Sequence, residues 1–180
     1  SMLRLFPFVL LVMVGIVTVL FRSPVPVLLS MGVSLLSVLW TLGIAVAFKP
    51  TLNIFHGGVP AVVTVVAVSD VIHLWSAYLH ELRDGRPRDK AILLSAVDVG
   101  RACLFTSMTT FVGFVSISLI PTPVFREFGW ALGCGVAMAL ILAMTLVPIA
   151  ASFGKPPSAK ALQMDNPVAG VVDRLVAASA

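Results

Sequence analysis

Five apolar runs, each close to or beyond the ~20 residues that a bilayer-spanning helix requires, occupy most of this 180-residue chain: Leu3 to Phe21, Val25 to Phe48, Gly58 to Leu79, Ala102 to Ile120 and Val124 to Ser152. Lipid offers no partner to an open backbone N–H or C=O, so runs of this length are stable only as helices that satisfy their own hydrogen bonds. The pattern therefore predicts an all-α polytopic membrane bundle of five transmembrane helices. With 59% hydrophobic and only 11% charged residues, the composition excludes an ordinary soluble domain.

The 12 basic residues fall mainly between the runs. Alternating the connections places Arg22, Arg83, Arg86, Arg88, Lys90, Arg101, Lys155, Lys160 and Arg174 on one side, and Arg4, Lys49 and Arg126 on the other. Nine against three assigns the first group to the cytoplasm. The start of the chain is then expected outside and its end inside, in the cell's inner (cytoplasmic) membrane. No basic stripe interleaved with aromatics exists, so nucleic acid is not an expected partner.

Residues 80–100, HELRDGRPRDKAILLSAVDVG, place Ile92, Leu93, Ala96 and Val97 at helical spacing behind Pro87, with charges opposite. This predicts an amphipathic helix on the cytoplasmic face. Residues 1–153 thus read as one transmembrane domain. Residues 154–180 read as a Pro-rich cytoplasmic linker followed by the start of an amphipathic helix that looks truncated.

Within the third run, Asp70 breaks an otherwise apolar stretch. A carboxylate at the centre of a transmembrane helix costs roughly 2.5–3.5 kcal/mol or more, so such a residue normally faces a bundle interior or a water-filled path. That makes Asp70 the first candidate for chemistry, the alternative being a structural carboxyl capped by hydroxyls or backbone groups. His73 lies one helical turn on and shares its stripe. The fourth run carries Thr106, Thr109 and Thr110 at i, i+3 and i+4, with Gly113 a turn further. Hydroxyls so placed either bond the preceding turn or reach a neighbouring helix.

Gly129 and Gly133 in the fifth run form a GxxxG pair, which lets helix backbones approach closely and reads as packing. Cys103 and Cys134 lie inside apolar runs, where they pack as small core residues. Neither a nucleophile–base pair nor a set of metal ligands is visible. The expectation is a protein that is not an enzyme and uses no cofactor or metal.

The succession SDVIHLWSAYLHELRDG, a basic connector, GRACLFTSMTTFVGFVSISLIPTP and FREFGWALGCGVAMALILAMTLVP resembles the resistance-nodulation-division (RND) transporter superfamily. It is closest to the lipid-exporting MMPL-like branch and more distantly similar to the sterol-sensing domain of Patched-type proteins. The resemblance implies spans two to six of one half of a twelve-span transporter. It further implies that Asp70 carries protons down their gradient to drive export of lipidic or hydrophobic compounds, with His73, Thr106, Thr109 and Thr110 in the relay. Gly113, Gly129 and Gly133 would pack helices. The implied partners are the hydrophobic substrate, the membrane, the second half of the transporter and a possible second copy of the protein. The pattern departs at Val71, where the MMPL-like branch often has Tyr. The rival reading is a sterol-sensing-type domain that binds lipid without transporting it.

Overall fold

The computed structural model describes residues 5–21, 23–48 and 57–153. They form five helices: α1 (Leu5–Phe21), α2 (Pro24–Phe48), α3 (Val59–Arg83), α4 (Arg88–Ile117) and α5 (Pro123–Phe153). Helices α2 to α5 are each long and apolar enough to cross a membrane. At 17 described residues α1 is shorter, near the lower limit for a span. The expected helical membrane bundle is what the chain forms.

Helix α3 occupies the centre, packing against each of the other four, while α5 packs against α2, α3 and α4. The interior is built from small and β-branched side chains: Val63, Ala67, Val71, Val136, Ala139 and Ala143 are fully buried. Small residues suit this setting, because lipid tails are as apolar as a leucine and helices associate through close van der Waals contact. Large apolar residues such as Phe8, Leu11, Leu39 and Phe105 are exposed on the outside, as a lipid-facing surface requires.

The amphipathic stretch after residue 87 differs from expectation. It is not a separate helix on the membrane face but the first turns of α4, continuous with the span to Ile117. Helix α3 likewise runs on to Arg83, and the chain reverses in a tight turn where Gly85 takes φ +76. That left-handed conformation is the one glycine adopts without a Cβ penalty. No proline follows Pro87 until Pro121, so nothing stops α4 from propagating. At 30 residues it is ~45 Å long against a hydrocarbon core of ~30 Å, and its first turns extend beyond the core. Their small face still belongs to the bundle, with Ala91 fully buried in the same core cluster as Ala151.

Arg88 ties this hairpin to α5. Its Nε donates to the Ala151 carbonyl at 2.9 Å, and a second guanidinium nitrogen donates to the same oxygen. Ala151 lies in the last turn of α5, whose carbonyls have no partner within the helix, so the cation caps that end. Arg86 pairs with Glu81 at 2.9 Å across the turn. Residues 154–180, expected to be a linker and amphipathic segment, lie outside the described residues.

Candidate functional site

Asp70 is the twelfth of the 25 residues of α3, near mid-span, and only 5% exposed. Its apolar neighbours along the helix, Ala67, Val71 and Leu74, are buried too, so the carboxyl is held inside the bundle and away from lipid. Its Oδ2 is buried with no hydrogen-bond partner among the described residues. On α4, which packs against α3, Cys103 is buried as well, at 4% exposed.

Cys103 belongs to the inward stripe of α4. Ser95, Gly100, Cys103 and Ser107 are the buried positions along this part of the helix. Gly100 is the point at which Met144 of α5 lies against the α4 backbone. The threonine cluster occupies a different stripe. Thr106 and Thr109 are exposed and Thr110 half-buried, and each hydroxyl donates within α4: Thr106 to the Cys103 carbonyl at 3.0 Å, Thr109 and Thr110 to the Thr106 carbonyl at 2.8 and 2.7 Å. Gly113 continues that stripe and has open space around its α-carbon. His73, one turn from Asp70, is exposed on the outer side of α3. Of the expected relay group, Asp70 alone is in the core of the described bundle.

Gly129 and Gly133 lie on α5 with little room above their α-carbons. A Cβ on Gly129 would sit 2.6 Å from the Phe114 carbonyl oxygen and 2.8 Å from the Ser118 nitrogen, both backbone atoms at the end of α4 and the turn after it. On Gly133 it would come within 3.0 Å of a Val115 methyl.

A second buried polar feature lies on α2. Ser30, Ser34, Ser37 and Thr41 recur at i, i+4, i+7 and i+11, and all four are at most 2% exposed. Three of them donate to carbonyls of their own helix, whereas Ser34 reaches across to Thr64 Oγ1 of α3 at 3.0 Å. The spacing was visible in the sequence, but hydroxyls without a charge do not stand out there. Replacing Ser34 by Ala and Thr64 by Val, singly and together, is expected to give a coupling of ~0.6 kcal/mol in thermal unfolding. That is the usual worth of an interhelical hydrogen bond in a membrane. The double variant should unfold close to the wild type, since no polar atom is then left unpaired.

At the end of the bundle away from the α3–α4 turn, a cleft of about 1160 Å³ opens between α2, α4 and α5. Ile44, Val115, Leu119 and Trp130 supply apolar walls, Thr41 lies at its inner side, and Arg126 lines it as well. Neither Asp70 nor Cys103 lines it, so the cleft and the buried carboxyl are separate features. Its volume and lining suit an apolar ligand.

No group of three or more His, Cys, Asp or Glu side chains able to hold a metal occurs among the described residues. The model of the MMPL family matches residues 1–164. A protein of Methanocaldococcus jannaschii, MJ1562, whose name describes it as a membrane protein, is 30% identical over 139 residues, covering 76% of this chain and 36% of its own length. This chain thus spans about a third of that relative. No solved structure matches it. A helical bundle with a buried mid-span carboxyl, matched over nine-tenths of its length by one family model, identifies the chain as a member of the MMPL family.

Proposed function

We propose that this chain is the transmembrane part of a proton-driven RND exporter of lipidic or hydrophobic compounds, with Asp70 as its proton carrier. The observation that carries the reading is the buried, mid-span Asp70 whose Oδ2 has no hydrogen-bond partner among the described residues. A carboxyl in a membrane core with no counter-charge beside it among the described residues is costly, and the cost makes sense where gaining and losing a proton is its task. Each change of charge alters which packing of the surrounding helices is favoured, and that couples protons to movement.

In this reading the Arg-rich α3–α4 turn is cytoplasmic, α3 runs inward, and the cleft near Arg126 opens toward the outer leaflet. The outward stripe of Thr106, Thr109, Thr110 and Gly113, together with His73, meets the other half of the transporter. The protein moves its substrate without changing it chemically and uses no cofactor.

The cleft favours a second reading, a sterol-sensing-type domain that binds lipid without transport. Full-length protein in vesicles with an imposed pH gradient separates the two. For the exporter, a fluorescent lipid redistributes with the gradient and stops when a protonophore is added. Saturable sterol binding that ignores the gradient would select the sensor instead.

A further inference from the structure

The cleft between α2, α4 and α5 has no part in the proton-carrier reading, because Asp70 does not line it. We propose that it is a binding site for a glycerophospholipid of the surrounding membrane, with the phosphate on Arg126 and an acyl chain lodged between the helices. The inference goes beyond both functional readings and holds whichever of them is right.

The interior of the cleft decides what lies inside it. Ile44, Ala45, Val115 and Ala131 give it apolar walls. Two hydroxyls that line it are satisfied locally: Thr41 donates to the Ser37 carbonyl at 2.6 Å and Ser118 to the Val115 carbonyl at 2.5 Å. Neither asks a ligand for a hydrogen bond, so hydrocarbon suits this space of about 1160 Å³. At the mouth Leu119 is 82% and Trp130 51% exposed, an apolar surface that belongs against lipid. Pro121 and Pro123 flank Thr122 at the rim and stiffen its backbone, so the opening is preformed.

Charge complementarity decides what lies at the mouth. With 31 residues α5 is ~46 Å long against a hydrocarbon core of ~30 Å, so its first turn reaches the headgroup layer. Arg126, the fourth residue of α5, is exposed at that level and lines the cleft. Trp130 shares its face one turn further on, and both residue types anchor helices at a membrane surface. Whereas Arg86 pairs with Glu81 and Arg88 with the Ala151 carbonyl, no ion pair or side-chain hydrogen bond engages the Arg126 guanidinium among the described residues. A planar guanidinium matches two phosphate oxygens at once. A sterol offers it one hydroxyl and no charge. Glu127 also lines the cleft and already makes an interaction within the protein. The attraction is therefore a local bond between guanidinium and phosphate, not the pull of a positive patch, and a zwitterionic lipid satisfies it.

Native mass spectrometry of the full-length protein in detergent, titrated with dioleoylphosphatidylcholine, tests this without knowledge of any transported substrate. The expected result is one lipid held more tightly than the rest. Arg126→Gln should weaken it about tenfold or more, the usual loss for a hydrogen bond to a charged group. Arg126→Lys should weaken it less, since an ammonium keeps the charge and loses the fork. Arg101→Gln removes an exposed arginine outside the cleft and should leave the affinity unchanged. Ala45→Phe fills the cleft and should release the lipid with Arg126 intact. In the wild type, neither glycerophosphocholine, a headgroup without chains, nor cholesterol, which has no phosphate, should displace the lipid at equal concentration. Equal affinity in the wild type and Arg126→Gln, equal losses in Arg126→Gln and Arg101→Gln, or displacement by either competitor would overturn the proposal.

Discussion

Asp70→Asn is expected to reduce gradient-driven transport to the level of protonophore-treated vesicles while leaving the bundle folded. The amide has the shape of the carboxyl and never ionises, so the substitution removes the charge cycle and little else. Its NH₂ would inherit the buried place of Oδ2, which has no partner among the described residues, and this costs about 1 kcal/mol and shows as a small loss in thermal unfolding. A merely structural carboxyl predicts the reverse outcome, since an amide can accept and donate in a polar core. Transport in the Asn protein equal to the wild type would therefore remove the proton-carrier role. Asp70→Glu keeps an ionisable group but moves it by one methylene, and should retain measurable coupling.

How Asp70 became legible from sequence, and the buried face of α4 did not, follows from the kind of signal each leaves. One acidic residue inside a long apolar run is conspicuous because the cost of placing it there is large. The five helices were legible on the same ground, since lipid forces every apolar run of that length to be helical. Cys103 leaves no such mark: among Ala, Leu and Phe it reads as another small core residue. The threonines drew attention as a polar cluster, yet a threonine can satisfy its hydroxyl on its own preceding turn, and all three do. Residues 103 and 106 differ by only about 60° around a helix, and which of them faces α3 is decided by how α4 is rotated against its neighbours. Gly100 and Gly129 bear on that rotation, because they mark where α5 lies close to α4. The extent of α4 is hidden for a related reason: its charged first turns resemble a surface helix in isolation, and only the burial of Ala91 and Ser95 reveals that they belong to the bundle.

Gly129→Ala is expected to have a large effect on the stability of the bundle, and its sign is diagnostic. By helix propensity alone the change would stabilise α5 by about 1 kcal/mol, because glycine is the poorer helix former. Packing argues the other way. The new methyl would lie 2.6 Å from the Phe114 carbonyl oxygen and 2.8 Å from the Ser118 nitrogen. Backbone atoms at the end of α4 cannot rotate aside, so the two helices must separate, and overpacking of this kind costs ~1–3 kcal/mol and more for larger side chains. Without a hydrophobic force between helices in lipid, lost contact along the whole α4–α5 seam is not regained elsewhere. Thermal unfolding should fall for Gly129→Ala and collapse for Gly129→Val. Gly100→Ala is the control: its methyl meets the flexible end of Met144, which can swing away, so the loss should be smaller. If Gly129→Ala matched the wild type or exceeded it, the close approach of α4 and α5 would be wrong.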